Sequence, residues 1–175
     1  ADWRGELERA SEHGRVQLVR LLPNYGRYDL ADVSDFLQAI QDANLAVIVQ
    51  ACLEDSRRHH PLAVVPSVAA SAVVDMAQEF PDLRIVIGGA KAAELRNLAD
   101  RILALPNVYA DTAQVDGLDA IKVLVSQGLG GRLVFGSHAP LFIPHAALGR
   151  VVTDVEDDVA EAILSGNALC LLGDI

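Results

Sequence analysis

The sequence contains few aromatic residues and few lysines. Aromatic side chains make up 5% of the 175 residues, and only Lys91 and Lys122 are lysines among 14 basic residues. The formal net charge is −10. A surface that grips phosphates needs clustered basic side chains, and no basic cluster stands out along this chain. We therefore expect neither nucleic acid nor an anionic membrane as a partner, and a small-molecule ligand instead.

Cysteines are scarce, and long apolar runs are absent. Cys52 and Cys170 lie far apart and in no CxxC or CxxH spacing, which is typical of thiols in a reducing compartment. No apolar run reaches the ~18 residues of a membrane helix, and no signal-peptide pattern opens the chain. With 51% hydrophobic and 22% charged residues, the composition is that of an ordinary globular domain. We expect a cytoplasmic protein.

Five short apolar runs alternate with longer amphipathic stretches. The runs are almost continuously apolar and rich in β-branched residues, as in strands that are buried on both faces of a parallel sheet. The predicted strands are Val16–Leu22, Leu45–Ala51, Leu83–Ile87, Asn107–Asp111 and Arg132–Gly136.

The stretches around these runs have apolar residues at helical spacing. Gly14 is predicted to end the first helix, Asp32 or Ser34 to cap the second, and Asp154 to cap the last. The repeated order of strand, loop and helix predicts parallel strands joined by right-handed crossovers. The predicted helices are Asp2–His13, Ala31–Ala43, Val68–Phe80, Lys91–Leu105, Gly117–Gln127 and Val155–Leu172.

Four segments resemble, in order, the motifs of one known protein family. Pro81–Ala90 (PDLRIVIGGA) is similar to its sixth strand, P-D-hydrophobic-K/R-I-V-x-x-H-x-G, and Asn107–Thr112 (NVYADT) to its seventh, N-V-Y-x-D-x-S. Arg132–Pro140 (RLVFGSHAP) looks like the eighth strand, R-hydrophobic-hydrophobic-F/W-G-S-D-x-P. Ala162–Gly173 (AILSGNALCLLG) resembles the closing helix, I-L-x-x-N-A-x-R-L-L. The family is the amidohydrolase-related family of metal-dependent hydrolases (amidohydrolase 2 type), and the resemblance extends over most of the chain.

The resemblance implies a (β/α)₈ TIM barrel whose chemistry lies at the C-terminal mouth. Because five strands cannot close a barrel of eight, we predict that residues 1–175 form the C-terminal part of one such domain and cover roughly its last five βα units. The first three units would then lie outside this chain. The alternative is an open five-stranded doubly wound domain, complete as given.

The family's metal ligands are largely replaced here. Its fifth-strand His falls on Gln50, its sixth-strand His on Gly89 and its eighth-strand Asp on His138, while its first-strand H-x-H pair lies outside this chain. The resemblance implies a divalent, zinc-like metal, for which His138 is the predicted ligand in this chain. The pair Gly88-Gly89 fits no phosphate-loop spacing. It instead indicates that another group approaches the backbone closely at the barrel mouth.

Four of the five histidines follow predicted strand ends. Because these ends would meet at one mouth, we predict catalytic roles for His138, His59 and His60. For His59 and His60 the alternative is a polar loop whose side chains point in opposite directions. His145 is predicted on a helix surface, and His13 as a helix C-cap.

Other polar residues near strand ends complete the candidate set. Asp111 is predicted to be a catalytic carboxylate, and the alternative is a capping role. Arg57 is predicted to bind a substrate carboxylate or phosphate, unless it pairs with acids in its own loop. Gln50 and Asn24 are predicted substrate contacts, although Asn24 also fits a simple turn.

These features favour a divergent amidohydrolase-type hydrolase that acts on a small polar substrate. It would hydrolyse a C–N or C–O bond, or decarboxylate its substrate, with a metal or by metal-free acid–base chemistry. The alternatives are a catalytically degenerate barrel that binds a small acid or a partner protein, and an open α/β binding domain. Exposed sheet edges would favour a homo-oligomer.

Overall fold

The computed structural model describes residues 2–53, 59–62 and 64–173. Five parallel strands form one sheet whose spatial order is also the chain order. The strands are β1 Leu18–Leu21, β2 Ala46–Gln50, β3 Ile85–Gly88, β4 Val108–Asp111 and β5 Leu133–Val134. Each predicted run coincides with one strand, and only β3 extends past its run, by one residue, so the strand prediction is confirmed.

Helices connect the strands and follow the last one. Short 3₁₀ turns at Leu30–Val33 and Leu129–Arg132 precede α3 and β5, and a π-helical turn at Ala162–Gly166 joins α8 to α9. The helices are α1 Trp3–Glu12, α2 Pro23–Gly26, α3 Ser34–Asp42, α4 Ala70–Glu79, α5 Ala92–Leu103, α6 Ala120–Ser126, α7 Pro144–Asp154, α8 Asp157–Glu161 and α9 Asn167–Leu172. None of the helices described is long and apolar enough to cross a membrane.

The predicted end of the first helix is confirmed. His13 is the C-cap of α1, and Gly14 follows it with a φ of +63°, a left-handed conformation that favours glycine. The predicted cap of the second helix is wrong, because α3 follows Val33 without a side-chain cap. Asp32 instead forms a capping box with Asp29 around the preceding 3₁₀ turn.

The region between β5 and the last helix also differs from the prediction. Asp154 does not cap that helix; its carboxylate accepts a hydrogen bond from the Ile121 N–H at 3.2 Å and so links α7 to the start of α6. The helix α7 itself was not predicted. It buries only Ala147 and Val151, which is too narrow an apolar stripe to stand out in the sequence.

The helices that connect the strands pack on one face of the sheet. A chain-order sheet has no point at which the strand order reverses, so right-handed crossovers place these helices on the same side. That outer face contributes Val47, Val49, Ile85 and Ile87 to the main core, together with α3 to α6. A doubly wound sheet carries helices on both faces. The doubly wound alternative is therefore wrong.

The opposite, inner face has a small apolar core and several polar side chains. Ile48, Val86 and Val134 pack there with Leu171 of α9. The strand register places Arg20 beside Ile48, and Gln50 beside Gly88. The inner face therefore becomes polar toward the carboxyl ends of β2 and β4, where Gln50 and Asp111 lie.

Two hydrogen-bond anchors hold β5 and the loop that follows it. The buried Asn167 side chain donates through Nδ2 to the carbonyls of Gly130 at 2.8 Å and Leu133 at 2.6 Å. Just after β5, the Phe135 N–H donates to the Ile163 carbonyl within the π-helical turn, at 2.9 Å. The last helical segment thus fixes the path of the chain toward His138.

Candidate active site

A cavity of about 680 Å³ runs along the inner face of the sheet. Its apolar end is lined by Leu171 and Leu172 of α9. The end at the carboxyl side of the strands is lined by polar side chains from three strands and one loop: Arg20, Gln50, Asp111, Ser137 and His138. Parallel α/β folds carry their ligand sites at this edge of the sheet.

Asp111 is the last residue of β4, and its side chain is almost completely buried. Its Oδ1 accepts two backbone hydrogen bonds, from the Gly89 N–H at 2.8 Å and the Ala113 N–H at 3.1 Å. Burial raises the pKa of the Asp111 carboxyl above its ordinary value of 3.8, against the lowering effect of these bonds and of the charges of His138 and Arg20. A carboxyl group in this setting can hold a proton and release it.

His138 lies in the loop that follows β5, in a strained backbone conformation. Its φ is +54°, a left-handed conformation that costs a non-glycine residue about 1 kcal/mol. The His138 carbonyl accepts hydrogen bonds from the N–H groups of Leu141 and Phe142, and the rings of His138 and Phe142 lie 5.1 Å apart. Its Nε2 is buried and has no hydrogen-bond partner among the described residues. Strain of this kind concentrates at functional sites.

Arg20 is the site residue that the sequence reasoning missed. It lies in the middle of β1, lines the cavity, and is close enough for its charge to lower the pKa of Asp111. The available signal was a single charge inside the apolar run Val16–Leu22, because an isolated charge is expensive to bury unless it has a partner or faces a cavity.

Gln50 and Gly89 meet at the ends of β2 and β3. Gln50 is 1% exposed, and its Nε2 donates to the Cys52 carbonyl at 2.7 Å. Gly89 has a φ of +66°, and a Cβ there would lie 2.5 Å from Gln50 Nε2 and still closer to the Cys52 carbonyl oxygen. The predicted close approach at this glycine pair is therefore confirmed.

The predicted site histidines of the loop after β2, His59 and His60, do not line this cavity. The Nδ1 of His59 accepts from the Val65 N–H at 3.4 Å, and the Nδ1 of His60 from the Leu62 N–H at 3.2 Å. Neither residue is among those that line the cavity with Asp111 and His138. Their catalytic role stays a prediction. Arg57 lies outside the described residues.

Asn24 lines a different cavity. It lies in α2, is 5% exposed, and its Oδ1 accepts from the Tyr25 N–H at 3.1 Å. The cavity beside it has a volume of about 590 Å³ and is also lined by Arg27 and Ser67. His145 is exposed on α7, as predicted.

The described residues do not by themselves supply a full set of ligands for a divalent metal. No group of three or more His, Cys, Asp or Glu side chains capable of holding one occurs among residues 2–53, 59–62 and 64–173. Gln50 offers only an amide, which is a weak ligand, Gly89 has no side chain, and Asp111 Oδ1 already accepts two N–H groups. Catalytic zinc sites take three protein ligands. A metal at His138 stays a prediction, and we derive no step through it.

Comparison with solved structures identifies the same architecture. The chain superimposes on 5-carboxyvanillate decarboxylase from Sphingomonas paucimobilis with a TM-score of 0.73 and 15% identity, over 98% of this chain and 62% of that one. An uncharacterised TIM-barrel protein from Bordetella bronchiseptica matches with a TM-score of 0.72 and 18% identity, over 97% and 61%. The chain thus spans about three-fifths of the length of either structure.

A third structure was solved with a metal and an inhibitor. It is a dihydroxybenzoic acid decarboxylase from Polaromonas sp. JS666 with bound manganese and 2-nitroresorcinol, with a TM-score of 0.58, 17% identity and coverage of 83% and 55%. No curated protein sequence matches the chain. The sequence profile of the amidohydrolase family, in contrast, matches residues 2–173. With five βα units of a (β/α)₈ barrel in chain order, this protein belongs to the amidohydrolase family.

Proposed function

We propose that this chain carries the catalytic pocket of an amidohydrolase-type enzyme that acts on a small carboxylic acid. The reaction is hydrolysis of a C–N or C–O bond, or decarboxylation. The observation that carries this proposal is the presence of Arg20, Asp111 and His138 in one cavity at the carboxyl ends of the strands. The aromatic acids in the names of two similar structures support the substrate class.

Each of the three residues has a distinct role in the proposal. The Arg20 guanidinium binds the substrate carboxylate through paired N–H donors. Asp111 and His138 transfer protons. In hydrolysis, His138 takes a proton from the attacking water and Asp111 gives one to the leaving group. In decarboxylation, the C–C bond breaks, CO₂ leaves, and the carbon that keeps the electron pair takes its proton from Asp111.

Turnover of the complete protein tests these roles. N-acyl amino acids, lactones and hydroxybenzoates are suitable substrates to screen. Asp111→Asn and His138→Ala should each lower kcat by roughly 100-fold or more, because general acid–base groups contribute about that much. Arg20→Ala should chiefly raise KM. The matched control is His145→Ala, an exposed histidine on α7. Full activity in both Asp111→Asn and His138→Ala would rule out the proposed pocket.

The loop that follows β2 is a second proposed contributor. We propose that Arg57, His59 and His60, and also Asn24 of α2, contact the distal part of a bound substrate, because loops at this edge of a barrel shape specificity. The variant His59→Ala/His60→Ala should then raise KM more than it lowers kcat. A fall in kcat as deep as that of His138→Ala would instead make these histidines part of the proton-transfer machinery.

A degenerate barrel that binds a small acid or a partner protein is the second candidate. The observation that favours it is the junction of Gln50 and Gly89 at two positions where the family carries histidine ligands. Calorimetry with carboxylic acids distinguishes the two functions. Binding that depends on Arg20, without turnover of any acid screened, would favour the degenerate barrel.

We also propose a cytoplasmic protein with a small-molecule ligand and no nucleic-acid partner. The net charge of −10 and two widely separated cysteines support this. Fractionation of cells that express the full-length protein, with a gel-shift assay at physiological salt, tests both points.

A further inference from the structure

We propose that the ends of β2 and β3 form a closed hydrogen-bonded junction that holds no metal, and that the protein works without a bound divalent ion. This inference rests on the proposed function and concerns the same pocket. It replaces the expected metal with groups of this chain.

The Gln50 side chain is held in place at the end of β2. It is 1% exposed, and its amide nitrogen donates to the Cys52 carbonyl at 2.7 Å. That bond fixes the amide plane and links the last residue of β2 to the loop that follows it. Gln50 is therefore a structural group at this strand end, and its amide is a weaker metal ligand than the histidine imidazole that the family carries there.

The backbone at Gly89 leaves no room for a side chain. Any Cβ at this position would meet Gln50 Nε2 at 2.5 Å and the Cys52 carbonyl oxygen still closer, which is shorter than real contacts of a Cβ allow. The space that a ligating side chain would need is already filled by the Gln50 amide. The Gly89 N–H is also used, because it donates to Asp111 at 2.8 Å.

The side chains that line the cavity carry more positive than negative charge. Arg15 and Arg20 line it, and Asp111 is its only acidic lining residue among those described. Two guanidinium groups repel a divalent cation and attract a carboxylate. Arg20 thus supplies the positive charge that a metal would otherwise place beside the substrate.

Metal content is the direct test. The full-length protein, expressed in medium supplemented with manganese and zinc and dialysed without chelator, should contain far less than one of either metal per chain by mass spectrometry. Addition of Zn²⁺ or Mn²⁺ should leave its Tm unchanged. One retained metal per chain, or a clear rise in Tm with either ion, would overturn the inference.

A pair of glycine variants tests the junction itself. Gly89→Ala should lower Tm more than Gly14→Ala, because both glycines have a similar positive φ but a Cβ at Gly14 would meet nothing within 4 Å. Equal losses at Gly89 and Gly14 would show that the junction is not closed.

The two proposals can fail separately. Retained metal, together with loss of turnover in Asp111→Asn, would overturn the metal-free junction and leave the proposed function standing. A metal-free protein that turns over none of the acids screened would leave the junction standing and remove the proposed function.

Discussion

Asp111 links the candidate site to the pH dependence of folding. Its pKa is raised above 3.8 in the folded protein, chiefly by burial, so the native state binds this proton more tightly than the unfolded chain. The stabilisation from the bound proton is fully present below the unfolded pKa and is lost as the pH rises through the folded pKa. Stability should therefore fall with rising pH across that window.

The variant Asp111→Asn tests this direction of the pH dependence of stability. Asparagine keeps an oxygen that can accept hydrogen bonds from the Gly89 and Ala113 N–H groups, but it does not titrate. Its contribution to the free energy of unfolding should therefore not fall as the pH rises. Urea unfolding of wild type and variant from pH 4 to pH 8 gives the comparison. A wild-type stability that rises relative to the variant over this window would contradict the account.

His138 gives a second prediction for a single residue. Because its φ is +54°, His138→Gly should be more stable than His138→Ala by about 1 kcal/mol. Both variants should lose the proposed proton transfer. Chemical denaturation measures the difference, and equal stability of the two variants would show that the loop carries no backbone strain at this position.

The sequence identified Asp111, Gln50 and His138 as site candidates because each follows or ends a readily recognised strand. Arg20 was missed because it lies inside a run that was interpreted only as apolar. His59, His60 and Asn24 belong to connecting segments whose path depends on tertiary contacts, and periodicity does not determine where such side chains point.

The last helical segment controls the position of β5. Asn167→Ala removes the Nδ2 donor of two carbonyls, those of Gly130 and Leu133, inside the protein. We expect a loss of about 2–3 kcal/mol of unfolding free energy, because buried carbonyls would lose their partner. The control is Ser165→Ala, an exposed residue of the π-helical turn, which should change stability by less than about 0.5 kcal/mol. Equal effects of the two variants would contradict this anchoring role.

The five strands could be predicted from sequence because parallel strands buried on both faces are almost continuously apolar. The first residues of the helices were harder to predict. The capping box of Asp29 and Asp32 encloses a 3₁₀ turn instead of starting α3. The helix α7 was not predicted from the sequence because it buries only two residues.

The sheet formed by the described residues is open. Within it, strands β1 and β5 each pair with one neighbour only, so each presents an edge. The isolated 175-residue chain should therefore self-associate, because unpaired strand edges recruit other strands. Sedimentation velocity over a range of concentrations measures this. A stable monomer with a single cooperative unfolding transition would contradict the expectation.

The proposed function depends most on one cavity that is lined by three strands and the loop after β5. The most direct measurement is a crystal structure of the complete protein with 2,6-dihydroxybenzoate. We predict that the carboxylate binds the Arg20 guanidinium and that the ring lies beside Asp111 and His138. An acid bound against the loop after β2, with Arg20 free of it, would contradict the account.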